Sequence, residues 1–177
     1  MPGPFEASTI ITERLLLQPV RVEDADEMAI ALGDPALHEF IGGQPATVEE
    51  LRDRYAAWVR GSGSTDELWL NWIVRDGAAG VAIGAVQATI VDPEATPTAF
   101  VAWTIGVPWQ GHGCAGEAGV ALVQWLVALG ATSVVAHVHP EHRASAAVAA
   151  RVGLRPTNVI VDGEVEWRLE PGAPGPS

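Results

Sequence analysis

Apolar and polar positions alternate with a period of two through the middle of the chain. Leu68 to Arg75 and Val81 to Val91 read as strands around Asp76 and Gly77, a pair that closes hairpins. Ala99 to Val107 reads as a third strand after a turn over Asp92 to Pro97. Helical spacing brackets this block. Ala25, Met28, Ala29 and Leu32 share one helix face, with Glu23 and Asp24 in the first turn. Thr47 and Glu50 form a capping box that opens a second helix to about Arg60, and Gly61 to Ser64 ends it. From about Gly113 to Leu129 the chain is apolar nearly all round, interrupted by Glu117 and Gln124, so this helix is mostly buried. A strand over Ser133 to His139, a short Ala-rich helix over Arg143 to Val152 closed by Gly153, and a hairpin of Leu154 to Val161 with Glu164 to Leu169 follow. Thr12 to Val20 reads as one opening strand.

The order is therefore β-α-α-β-β-β-α-β-α-β-β. Short turns cannot make parallel crossovers, so the middle strands are antiparallel. The strand–helix–strand unit after Gln110 has to be parallel and right-handed. The expected class is α+β, a mixed and mostly antiparallel sheet rather than a doubly wound one.

Composition narrows the setting. The 177 residues suit one domain, expected to be ordered from about residue 10 to 170, with a loose start and a disordered tail over 171–177. A hydrophobic content of 48% excludes general disorder. The single cysteine cannot form an internal disulfide, and no cationic segment leads into an apolar run, so a cytoplasmic protein without signal peptide or membrane span is expected. The formal charge of −12 argues against nucleic acid and anionic membrane as partners. Residues 101–154 hold only Glu117, Glu141, Arg143 and Arg151, a zero sum, so the negative excess lies elsewhere. That distribution suits an anionic cofactor beside a cationic acceptor; it equally suits a surface that keeps the protein soluble.

The chemistry concentrates at Gln110 to Gly116. A glycine-rich turn feeding a helix sets backbone N–H groups at the positive end of the helix dipole, where they hold phosphate. Gly111, Gly113 and Gly116 fit a dinucleotide fingerprint. That reading needs an acid about 20 residues on for the ribose, and no Asp or Glu occurs from Ala118 to Pro140. A second candidate is His137, His139 and His142, which resemble the H-x-H-x-[DE]-H pattern of the metallo-β-lactamase fold and would make a zinc hydrolase. Further ligands would have to come from later in the chain, where no histidine remains, so no metal site is assigned.

The segment Trp103 to Ala118 resembles the cofactor motif of the GNAT N-acetyltransferases, whose pattern Q/R-x-x-G-x-G/A meets Gln110, Gly113 and Ala115. Thr12, Arg14, Leu15 and Leu17 are similar to the opening of the ribosomal-protein N-terminal acetyltransferase branch, the RimJ/RimL-like enzymes. His142, Ala144 and Ser145, then Arg151, Gly153 and Leu154, are similar to that branch's N-x-A-S and K-x-G-F. The resemblance spans about Thr12 to Leu169. It implies a GNAT fold with helices on both sheet faces, splayed strands that hold acetyl-CoA, and acetyl transfer to a primary amine, either a protein N-terminus or a small molecule. A homodimer is left open. A catalytically degenerate CoA-binding sensor is the alternative, because His142 replaces the usual Asn, and the family's frequent tyrosine is absent from the last helix; the only tyrosine, Tyr55, is in the second.

Roles follow residue by residue. N–H groups of Gly111, His112, Gly113, Cys114 and Ala115 would line the pyrophosphate, and glycines remove Cβ where it approaches. Gln110, by its place in the family pattern, and His142, in place of the asparagine, belong to the cofactor site. Ile105 and Val107 would offer backbone groups to the pantetheine arm, and Arg143 or Arg151 would meet nucleotide phosphates. Ser145 would protonate the leaving thiolate or else cap its helix; His142 is the other acid candidate. Glu164, Glu166 and Asp66 are candidate bases, with Glu164 preferred. Gly116 reads as incidental, already inside the helix. Of the sheet tryptophans, one of Trp69, Trp72 and Trp103 would line an acceptor groove.

Overall fold

The computed structural model describes residues 5–40 and 42–172. Strands β1 (Ile10–Ile11), β2 (Leu15–Pro19), β3 (Glu67–Asp76), β4 (Ala82–Val91), β5 (Thr98–Ile105), β6 (Ser133–Val138), β7 (Arg155–Val161) and β8 (Glu164–Leu169) form one sheet. Its spatial order is β1-β2-β3-β4-β5-β6-β8-β7. Helices α1 (Ala25–Ala31), α2 (Val48–Arg60), α3 (Cys114–Ala128) and α4 (Arg143–Arg151) cover it. Every pairing is antiparallel except β5 with β6. The expected α+β class and mixed sheet are both present.

Alternation along the strands splits the core in two. Leu17, Trp72, Ile90 and Val134 face α3 and α4, packing on Leu122, Leu126 and Leu154. Ile73 and Ala82 face the other way, under Met28 of α1 and Leu51 and Tyr55 of α2. Trp72 is fully buried while Trp69, three residues back, is 37% exposed, as period two requires. The capping box at Thr47 forms as expected: its Oγ1 accepts from Glu50 N at 3.2 Å, and Glu50 Oε2 accepts from Thr47 N at 2.8 Å. Arg75 ties α1 to the sheet, donating to Asp24 at 2.8 Å and to both oxygens of Glu27. Asp24, 3% exposed, is a buried charge satisfied by that partner.

Three local readings are corrected. The opening strand starts at Leu15 and not at Thr12, because Leu15 N donates to Thr12 Oγ1 and Thr12 N to Leu15 O, closing a turn that a further short strand, Ile10–Ile11, precedes. Residues 5–9 are not loose: Phe5 lies in the core, and Trp72 Nε1 donates to Ser8 O at 2.7 Å. Strand β5 stops at Ile105, two residues early, because Val107–Trp109 turns into a 3-10 helix around Pro108. The expected tail over 171–177 lies, from residue 173 on, outside the described residues.

Candidate active site

Strands β5 and β6 pair only over Thr98–Phe100 and Ser133–Val135. Beyond that they part, so a gap opens inside the sheet. Hydrogen bonds on either side fix which groups face it. Thr132 N donates to Pro97 O on the β6 side, and Gly106 N donates to Ile83 O on the β4 side. Strand alternation then turns the backbone groups of Val101, Trp103 and Ile105 into the gap. Ile105 is placed there as expected. Val107 is not in the strand: it opens the 3-10 turn, and its carbonyl accepts from Gln110 N.

The Gln110–Gly113 loop closes the mouth of this gap. Gly111 and Gly113 have φ of +77° and +80°, the left-handed region that disfavours a side chain. Gly113 is the N-cap of α3, whose first helical bond runs from Glu117 N to Gly113 O. Among the described residues, the N–H groups of 111–115 have no protein acceptor. Five free donors at the positive end of a 15-residue helix are what a pyrophosphate needs. Gln110 has another role: its amide donates to Ile105 O at 2.9 Å and holds the loop against the strand end. His112 and Cys114 supply backbone; the His112 ring lies against Trp109 O at 3.2 Å.

A buttress missed at the sequence level holds this loop. Glu117 accepts from Thr12 Oγ1 at 2.6 Å, Arg14 N at 2.9 Å and Arg14 Nε at 2.6 Å, and Arg14 Nη1 donates to His112 O at 2.9 Å. Burial alone would raise the Glu117 carboxyl pKa; these bonds outweigh it and hold the group below its ordinary value. The signal was present in the Thr12–Arg14 motif, but nothing local says that its partner lies 103 residues on. Arg151 crosses the same helix end. A Cβ on Gly116 would lie 2.7 Å from its Cδ, so Gly116 is not incidental: it makes room for the arginine. Arg151 stands beside the free N–H row; Arg143 opens α4, exposed.

At the start of α4, the cap is His142 and not Ser145. His142 is the cap: its Nδ1 accepts from Ser145 N at 2.9 Å, which leaves the ring proton on Nε2. Ser145 does not cap; its Oγ accepts from Trp103 Nε1 at 3.1 Å, bridging α4 to β5. The three histidines do not converge. His142 and His139 pack on Phe40, with ring centroids 4.3 and 5.3 Å away, while His137 sits 6.0 Å from Phe100. No group of three among the described residues has metal-ligating geometry, so the zinc-hydrolase reading has no geometric support.

Comparison with known proteins decides the family. The family model for the acetyltransferase (GNAT) domain matches residues 14–155. The chain belongs to the GNAT acetyltransferase family. No curated protein matches it. Among solved structures, an acetyltransferase from Agrobacterium tumefaciens is 26% identical, with a TM-score of 0.71 over 94% of this chain and 96% of that one. The ribosomal L7/L12 α-N-protein acetyltransferase RimL, solved with coenzyme A, is 15% identical, with a TM-score of 0.75 over 92% and 98%. The microcin C7 self-immunity acetyltransferase MccE, solved with acetyl-CoA and AMP, is 16% identical, with a TM-score of 0.73 over 90% and 93%.

In this GNAT protein the carboxylate candidates separate by sheet end. Asp66 precedes β3, whose Glu67 pairs with Val91, and Val91 pairs with Thr98 at the closed end of the β5–β6 pair. It is therefore at the wrong end for the gap. Glu166 pairs with Arg168 at 3.1 Å, a bond that, with lesser help, holds its carboxyl low despite burial. Glu164 starts β8 next to Val165, which pairs with Val138, so it stands at the open end of the gap. On the opposite sheet face, a cavity of about 410 Å³ lies between α1, α2 and strands β4 and β5, with Tyr55, Trp58 and Trp103 in its walls. Of the three sheet tryptophans, Trp103 alone borders it, through β5; its indole turns to the other face, where Nε1 meets Ser145.

Proposed function

We propose that this GNAT acetyltransferase transfers the acetyl group of acetyl-CoA to a primary amine by direct attack in a ternary complex. The observation that carries the reading is the row of five free N–H groups at residues 111–115, set at the mouth of a gap lined by the backbone of Val101, Trp103 and Ile105. The first holds pyrophosphate; the second offers strand-like pairing to an extended amide arm. Acetyl-CoA supplies the activated acyl group. Arg151, beside the loop, meets the nucleotide phosphates.

In the transfer, the amine nitrogen bonds to the acyl carbon, the carbon–sulfur bond breaks, the ammonium gives up its proton and the thiolate takes one. Ser145 Oγ accepts from Trp103 Nε1, so its own proton remains to be donated to sulfur. His142 supports this from Nδ1 by fixing the helix turn that carries Ser145. Glu164, at the open end of the gap, takes the amine proton directly or through water. The amine has to be neutral before attack. That costs roughly 4–5 kcal/mol at pH 7 for a lysine-like amine and about 1 kcal/mol for an α-amine. With one carboxylate and no buried strong base at the site, an α-amine or similarly acidic amine is favoured. The RimL neighbour, by its name, acts on such a group.

The test combines binding and turnover. Gly113→Val puts a branched side chain at φ +80° on the N–H row, so acetyl-CoA affinity by calorimetry is expected to fall by more than 100-fold with the fold retained by circular dichroism. Unchanged affinity would remove the assignment of the loop. Thiol release from acetyl-CoA across an amine panel is expected for at least one amine. Binding without release on any of them would make the protein a CoA-binding sensor.

A further inference from the structure

The cavity between α1, α2, β4 and β5 has an unusual wall for a chain of net charge −12: the described residues that line it include no Asp or Glu. Its one formal charge is Arg54, which forms no ion pair among the described residues. Aromatic and aliphatic side chains make most of the remainder, with His38, Gln44, Gln87 and Thr104 as the other polar-bearing positions. A site for a polyamine, an aminoglycoside or a lysine-rich peptide would need carboxylates to replace the water around several ammonium groups. This cavity offers the reverse.

Tyr55 sharpens the point. Its residue is 2% exposed, yet among the described residues its hydroxyl has no hydrogen-bond partner, and no buried side-chain polar atom of those residues is left both unpartnered and sealed from solvent. The hydroxyl therefore opens onto the cavity it lines. Burial pushes its pKa up to about 12, with the charge of Arg54 pulling it down and that of Asp24 pushing it up, so at neutral pH it stands as a proton donor. A free donor and a guanidinium that line the same largely apolar cavity fit a carboxylate. At about 410 Å³ the cavity is at the small end of the roughly 300–1,000 Å³ typical of small-molecule sites.

We propose that the acceptor is a small apolar or aromatic amine that carries a carboxylate, an amino acid of the phenylalanine or leucine type, with Arg54 and Tyr55 binding the acid. This rests on acetyl transfer to an amine as the reaction, and it replaces the cationic acceptor that the overall charge suggests. Neither residue touches the reacting atoms; both position the substrate.

The experiment compares phenylalanine, phenylalanine amide, spermidine and a short Ser-initiated peptide, by thiol release and by quenching of tryptophan fluorescence in protein loaded with CoA. Trp58, stacked on Tyr55, lines the cavity, so the second readout does not depend on turnover. Phenylalanine is expected to be favoured over its amide at least tenfold in kcat/KM and in affinity. Arg54→Gln should erase that preference through KM, with little change for the amide. Tyr55→Phe, which keeps the packing, should raise KM for the acid about threefold to tenfold. Preference for spermidine or the peptide, or an acid preference that survives Arg54→Gln, would overturn the proposal while leaving acetyl transfer standing. Arg54-dependent binding of phenylalanine with no transfer to any amine would overturn the transfer reading instead.

Discussion

Gly106 shows how a single missing Cβ shapes this molecule. A Cβ there would lie 2.3 Å from Ala31 O and 2.9 Å from the Trp109 ring, so α1 could not end against the tip of β5. Gly106→Ala is expected to cost about 1–3 kcal/mol, seen as a lower urea midpoint. An unchanged midpoint would mean that the two elements do not meet there. Glu117 makes a pH-dependent counterpart. Its carboxyl is held below the ordinary 4.5, so the stability it contributes is present above that value and is lost as the pH falls through the folded-state pKa. Glu117→Gln should therefore cost about 1–3 kcal/mol at pH 7, with the gap to the parent protein closing as the pH is lowered below 4.5. A gap that stays constant with pH would show that charge has no part in the buttress.

At the scale of elements, the proposed mechanism places the proton donor Ser145 on the short helix α4 and has β5 orient it. The Trp103–Ser145 bond is the link between them. Ser145→Ala is expected to lower kcat about 10–100-fold with little change in the affinity for acetyl-CoA, because proton donation to the leaving group is lost and the loop is untouched. Trp103→Phe keeps the ring packing and removes the donor, so it should lower kcat by less. If Trp103→Phe costs more than Ser145→Ala, the serine is not the acid. The elements themselves were legible. The capping box of α2, the hairpin turn at Asp76 and Gly77, and the apolar surface of α3 are local signals, and each element appears within a few residues of its expected place. The errors sit at element ends, where a distant partner decides: Thr12 turns because Glu117 and Leu15 hold it there.

At the scale of the whole molecule, acetyl-CoA should act as a strap across an open sheet. Hydrogen–deuterium exchange is the direct measurement. Binding is expected to protect amides in Val101–Ile105 and in the loop at 111–115, with little effect in β3, whose ladder to β4 is already complete. Protection confined to β1–β3 would place the cofactor elsewhere. No described helix is long and apolar enough to cross a membrane.

The sequence by itself determined the local and the near: the order of elements, their hydrophobic faces, and the glycine loop at the head of α3. These depend on spacing along the chain and on conformations that only glycine adopts easily, so they can be read from residue types. The tertiary structure alone decided which ends of the sheet the carboxylates occupy, and which of His142 and Ser145 caps the helix. It also decided that Arg14 and Glu117 meet and that the cavity beneath α1 and α2 is lined by an arginine and a tyrosine and, among the described residues, by no acid. Those facts depend on distances between residues dozens of positions apart.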